Sequence, residues 1–192
     1  MEHAHGLAFL RIGSALSAVG LVLISTSPAA AQMTQNEALN LAFPDSDIER
    51  RTAYLTEAQM DMAEELAGFG IEVNSGIITH YVATKMGDPV GVAYFDAHRV
   101  RTLPEVLMIV VGPDSRVQRV EVVAFREPPE YSPPRRWLEQ FDGRNLEQGL
   151  SLRGGEIRNM TGASLTSEAG TWAVRRTLAL HQVIAPFGNE GT

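Results

Sequence analysis

The chain has 192 residues, a formal net charge of -7 and no cysteine. The negative charge argues against nucleic acids and anionic lipid surfaces as partners. The absence of cysteine excludes disulfides, thiolate nucleophiles, cysteine-ligated iron–sulfur clusters and covalent c-type haem. Beyond the first thirty-one residues the histidines are His80, His98 and His181, and their wide spacing predicts no zinc site.

Residues 1–31 are typical of an export signal. Arg11 supplies a positive charge, residues 12–24 are nearly all apolar, and the small residues at 27–31 fit a cleavage site. The apolar run is shorter than the roughly 20 residues that a membrane-spanning helix needs, so an uncleaved anchor is the weaker alternative. We therefore expect a mature chain that begins near Gln32 and lies in the periplasm or at the outer face of the cytoplasmic membrane.

Residues 32–75 are expected to form an N-terminal helical extension. A short helix over residues 34–43 should end before Pro44. Thr56 and Gln59 have the spacing of a capping box, which predicts a helix over residues 57–67. Between the two helices, residues 48–55 fit either a strand or an irregular connection.

The next part of the chain predicts an antiparallel sheet. β-branched and aromatic residues between turn signals indicate four strands, at residues 77–83, 90–95, 105–111 and 117–125. The connections between them are short. Parallel neighbours would need long crossover connections, so consecutive strands should pair in antiparallel fashion.

The remaining residues should supply loops and helices around the sheet. The proline-rich residues 127–134 cannot form a regular helix or a central strand. Residues 135–141 fit one or two helical turns, residues 143–155 a loop with at most one short strand at 150–152, and residues 167–183 a helix. The predicted fold is therefore α+β, with an antiparallel sheet of about four or more strands flanked by helices.

Small and hydroxyl-bearing residues immediately precede the last predicted helix, in the run Thr161, Gly162, Ala163, Ser164, Leu165, Thr166 and Ser167. Gly162 and Ala163 let a ligand approach the backbone closely. Thr166 or Ser167 can cap the helix, whose first amides favour an anion nearby. An ordinary helix cap explains the same composition, so a phosphate site is one of two interpretations.

The run resembles the flavinylation motif of the FMN-binding domain family, found in the RnfG and NqrC subunits of respiratory electron-transfer complexes. In that family the pattern is Ser/Thr-Gly-Ala-Thr-x-Thr-Ser, and its fourth residue carries FMN through the phosphate. Ser164 falls on the acceptor position. The order of the strands, the acidic proline-rich loop and the segment around Trp137 also resemble this family, which implies that residues 76–192 form an FMN-binding domain.

Two positions depart from the family pattern. Ser164 replaces the usual threonine but keeps the hydroxyl group, and Arg158 stands where the family commonly has an aspartate. The resemblance implies that the cofactor-binding residues are Ser164, Thr161, Gly162, Ala163, Leu165, Thr166 and Ser167, with Glu127 and Trp137 as candidates near the flavin. For the last two, a solvated loop position and ordinary core packing are the alternatives.

The resemblance implies an electron carrier rather than an enzyme with its own substrate. Its cofactor would be FMN, joined covalently through the phosphate to Ser164. Its partners would be a periplasmic flavin transferase that uses FAD and membrane or periplasmic redox proteins. Two alternatives stay open, namely a module that binds FMN non-covalently and a structural subunit of a membrane redox complex without cofactor. The residues indicate no catalytic acid, base or nucleophile and no metal site.

Overall fold

A computed structural model describes residues 32–188 of the chain. The export signal expected in residues 1–31 lies outside the described residues. The elements in chain order are α1 (Gln35–Ala42), β1 (Asp47–Tyr54), α2 (Glu57–Ala67), β2 (Ile77–Lys85), β3 (Asp88–Arg99), β4 (Pro104–Val111), β5 (Val117–Phe125), α3 (Arg135–Leu138) and α4 (Ser164–Ile184), with short 3-10 helices at Pro129–Tyr131 and Glu139–Phe141.

The five strands form one sheet in which each strand pairs with the next in sequence, and all pairs are antiparallel. The tight turn between β2 and β3 is one reason for this antiparallel pairing, because it reverses the direction of the chain. Met86 and Gly87 both have positive φ, 53° and 92°, between the paired Lys85 and Asp88. That geometry is the two-residue hairpin turn that matches the twist of the strands. The predicted α+β fold is confirmed.

The two faces of the sheet carry different helices because successive strand residues point to opposite sides. One face packs against α3 and α4 through Tyr94, Leu107 and Ile109, all buried. The other face packs against α1 through Met108 and Val110. Fully burying each large apolar side chain contributes about 1.5–3 kcal/mol, so both faces of the sheet are stabilised by their helices.

Residues 32–75 contain a strand as well as helices, which corrects the expected helical extension. β1 pairs with β2 along its whole length and forms one edge of the sheet. α2 begins at the predicted capping box, where the Thr56 hydroxyl accepts a hydrogen bond from the amide of Gln59. Its buried face packs against α4, through Ala63 and Ala67. The segment is therefore part of the sheet and of its helical layer.

Among residues 32–188, none of the helices has both the length and the apolar character that crossing a bilayer requires. Residues 150–152, for which at most one short strand was expected, have irregular and turn conformations.

Candidate functional site

The motif segment forms the turn that leads into α4. The helix begins at Ser164, three residues earlier than predicted, and its N-cap is Ala163, which makes no side-chain capping bond. The expectation that Thr166 or Ser167 caps the helix is therefore wrong. Both side chains lie within the first turn and are buried.

Ser167 holds the turn in place from inside the helix. Its hydroxyl accepts a hydrogen bond from the Met160 amide at 2.9 Å and donates one to the Ala163 carbonyl at 3.2 Å. Because Ser167 is fully buried, it contacts the backbone of the motif rather than a ligand. The motif turn is thus tied to the helix that follows it.

Gly162 allows the chain to enter the helix at this point. Its φ is +81°, in the region that side-chain-bearing L-residues rarely adopt, while a Cβ added there would meet nothing within 4 Å. The residue is therefore needed for its backbone conformation, and the space beside it is open. Gly162 is therefore one of the residues that border the site.

A small cavity of about 240 Å³ lies beside the start of α4. Ser164 is exposed and lies on the wall of this cavity at the first helical residue. The motif residues that line it are Gly162, Ala163, Ser164, Leu165 and Thr166, and the opposite wall consists of Val100, Arg101, Glu127 and Tyr131. Glu127 therefore lines the same cavity as Ser164.

Glu127 binds the backbone of the turn between β3 and β4 beside this cavity. Its Oε1 accepts hydrogen bonds from the amides of Arg101, Thr102 and Leu103, at 3.2, 2.7 and 2.8 Å. The bonds from Leu103 and then Thr102 lower the pKa of Glu127 below its ordinary value, so the carboxylate is ionised at neutral pH. This carboxylate fixes the β3–β4 turn as a wall of the cavity.

Sequence reasoning missed Val100 and Arg101. Both belong to the β3–β4 turn, about sixty residues before the motif. The signal that leads to them is Glu127, because this acidic residue, two positions after the end of β5, accepts hydrogen bonds from the amides of the neighbouring turn. Tyr131, from the proline-rich loop, lies on the same side and is exposed.

Trp137 and Thr161 line a different, larger cavity of about 920 Å³ on the other side of Ala163. Trp137 is buried, and its Nε1 donates a hydrogen bond to the Arg158 carbonyl at 2.6 Å. The indole therefore supports the segment before the motif. Of the candidate residues, Trp137, Thr161 and the buried Ser167 do not line the cavity that contains Ser164.

A buried network of charged groups links α4 to the sheet. His98 contacts Asp96 through Nδ1 at 2.9 Å and Glu105 through Nε2 at 3.1 Å, and Arg176 of α4 makes two bonds of 2.8 Å to Asp96. Burial alone would lower the pKa of His98, but the bonds to Asp96 and Glu105 outweigh it and raise the pKa to about 9. His98 is therefore an imidazolium ion at neutral pH.

A second buried histidine behaves in the opposite way. His181 lies near the end of α4, and its Nδ1 is 3.0 Å from the hydroxyl of Tyr94. Burial, followed by the nearby His80, lowers the pKa of His181 to about 4.

No group of three or more metal-ligating side chains is found within residues 32–188.

The fold resembles that of NqrC from Shewanella oneidensis. The two structures align with a TM-score of 0.51 over 79% of this chain and 90% of that chain, at 14% sequence identity. No protein-family profile matches the sequence, and no curated protein sequence matches it at a significant level. Identity this low relates the two proteins by their fold alone. The chain therefore has an NqrC-like α+β fold, the FMN-binding-domain fold that the resemblance of its motif implied.

Proposed function

We propose that this chain is an exported flavoprotein that carries one FMN, joined through its phosphate to Ser164, and that it transfers electrons between protein partners. The observation that carries the proposal is the place of Ser164. It lies exposed on a cavity wall at the start of α4, on the acceptor position of the motif that the chain resembles. The NqrC-like fold supports the same function.

The residues around Ser164 fit a phosphate ester. The serine supplies the hydroxyl, and the exposure of Ser164 on the cavity leaves room for a tetrahedral group on the hydroxyl oxygen. In the proposed attachment, the Ser164 oxygen bonds to the phosphorus of the FMN half of FAD while the bond between that phosphorus and the bridging oxygen breaks. AMP leaves, and the serine proton passes to a base of the flavin transferase.

The size of the cavity indicates which part of FMN it holds. At about 240 Å³ it falls below the roughly 300–1,000 Å³ of sites that enclose whole ligands of this size. It fits the phosphate and the start of the ribityl chain. Tyr131 and Leu165, both exposed at the cavity, offer an apolar surface to the ring system. A flavin held in this way keeps an edge open to redox partners.

Electron transfer suits this site better than turnover of a small substrate. FMN supplies the redox chemistry, and the protein supplies attachment and surroundings. Ser164 lies on an open cavity rather than in an enclosed chamber, and the polar side chains of that cavity do not form a relay of acid and base. A covalent bond also retains the cofactor outside the cytoplasm, because a tether keeps the effective concentration high when free FMN is dilute.

The proposal is tested by producing the protein from Gln32 onward together with an active flavin transferase. The intact mass should increase by one FMN less one water, and the yellow absorbance should stay with the protein after denaturation. Ser164→Ala should abolish both signals, and Ser164→Thr should retain both. Ser75→Ala is the matched control, because it removes an exposed hydroxyl elsewhere on the surface.

The outcomes separate the alternatives. Colour that denaturation releases completely would indicate a module that binds FMN non-covalently. A colourless wild-type protein without added mass would refute the proposal and favour a structural subunit. Attachment that survives in Ser164→Ala would show that another hydroxyl is the acceptor.

A further inference from the structure

We propose, on the basis of the proposed attachment of FMN at Ser164, that Arg101 binds the phosphate of the phosphoester and that Glu127 positions Arg101 for this contact. Arg101 lies just before β4 and Glu127 just after β5, at the open end of the β4–β5 hairpin, and both line the cavity that contains Ser164.

The charge of the cavity supports this assignment. A phosphodiester carries one negative charge at neutral pH, and a cationic side chain beside it can form charge-assisted hydrogen bonds to its oxygens. Among the described residues that line this cavity, Arg101 alone is positively charged. A guanidinium offers paired N–H donors that match two phosphate oxygens.

The second charged group of the cavity, Glu127, is bonded to the backbone of the β3–β4 turn. Oε1 of Glu127 is occupied by the amides of Arg101, Thr102 and Leu103. One of these bonds comes from the backbone of Arg101 itself. Glu127 therefore holds the backbone of Arg101 and thereby fixes the position of the Arg101 Cα, from which the side chain extends.

The geometry of the turn keeps Arg101 at the cavity. The Val100 amide donates to the Leu103 carbonyl at 3.2 Å, which closes the turn between β3 and β4. Three charge-assisted bonds to a single carboxylate oxygen then hold its backbone. The guanidinium is thus carried on a fixed loop, and only its own side-chain torsions remain to be ordered on binding.

Other arginines near the motif lie on the opposite side. Arg136 and Arg158 line the larger cavity beyond Ala163, whereas Ser164 lies on the small one. Arg136 is exposed and has the same charge as Arg101, so it provides a matched control. It also tests whether the phosphate lies on the other side of the motif.

Phosphorus NMR of the flavinylated protein reads the contact directly, because the resonance of the phosphoester responds to a bound cation whatever the activity of the protein. We expect Arg101→Gln to move this resonance, Arg101→Lys to restore part of the change, and Arg136→Gln to leave it in place. Glu127→Gln should move it in the same direction as Arg101→Gln, although Arg101 is retained.

Two results would overturn the inference while the proposed function stands. The first is a flavinylated Arg101→Gln protein whose phosphorus resonance coincides with that of the wild type. The second is a change in Arg136→Gln as large as in Arg101→Gln. If Arg101→Gln accepts no flavin but keeps its melting temperature, the flavin attachment of Arg101→Lys tests whether Arg101 contacts the phosphate through its charge. Recovered attachment supports a charge contact, and lost attachment overturns it. A wild type without flavin would refute the proposed function itself.

Discussion

Raising the pH toward 9 is expected to destabilise the protein through His98. Its imidazolium lies between Asp96 and Glu105, and Arg176 also binds Asp96. The pKa of His98 is about 9 in the folded protein and has an ordinary value of 6.5. A raised pKa means that the stabilisation is complete below pH 6.5 and is lost as the pH rises through 9.

The magnitude follows from the difference between the two pKa values. One pKa unit corresponds to about 1.4 kcal/mol, so the full contribution is about 3 kcal/mol. The His98 side chain is only 11% exposed, and solvent therefore screens little of it. Between pH 7 and pH 9, the free energy of unfolding should fall by about 2 kcal/mol from this group.

Urea unfolding at pH 7, 8 and 9 measures this decrease, and His98→Gln provides the comparison. Glutamine does not titrate, so the variant should be less stable at pH 7 and should lose the part of the pH dependence that His98 causes. Other groups that titrate near pH 9 affect both proteins alike. The reasoning is refuted if the wild type shows no decrease, or if the variant shows the same decrease.

The remaining predictions concern acid pH and the motif turn. His181 has a pKa of about 4, below its ordinary 6.5, because its neutral form is favoured in the folded protein. The contribution of His181 to the stability of the fold is therefore complete above pH 6.5 and is lost toward pH 4. The melting temperature should fall over this range, and it should fall by less in His181→Gln. Gly162→Ala should cost about 1–2 kcal/mol in chemical denaturation, because of its φ of +81° rather than lack of space, and an unchanged stability would contradict this. Ser167→Ala should cost about 1–3 kcal/mol in the same assay, since the Met160 amide loses its acceptor; a neutral effect would show that water replaces the hydroxyl.

Local patterns in the sequence predicted most of the sheet. The turn at Gly87 marked the β2–β3 hairpin, and the capping box at Thr56 and Gln59 fixed the start of α2. These signals act over two to four residues, so a single sequence contains them completely. β1 was left undecided because it is an exposed edge strand rich in charged residues, without the alternation of a half-buried strand.

The candidate site was predicted more fully on the motif side, since Glu127 was the one residue of the facing wall among the candidates. The motif residues around Ser164 were found from their order in the chain, but the start of α4 was misplaced. Serine is a common residue at helix N-caps. The Ser167 hydroxyl instead lies within the first turn of α4 and bonds to the preceding segment, at Met160 and Ala163. Val100 and Arg101 of the facing wall reach the cavity through contacts between segments that are distant in sequence, so the residues around them carry no local signal.

The position of Ser164 at the end of α4 restricts how a cofactor on it can move. The helix has 21 residues and extends over roughly 30 Å at 1.5 Å per residue. Arg176 anchors it to the sheet through Asp96, and its other end is buried at His181. The backbone of Ser164 therefore has a fixed position relative to the sheet. Under the proposed function, a flavin on Ser164 would stay at this end of the molecule, and the electron donor and acceptor would both have to bind there.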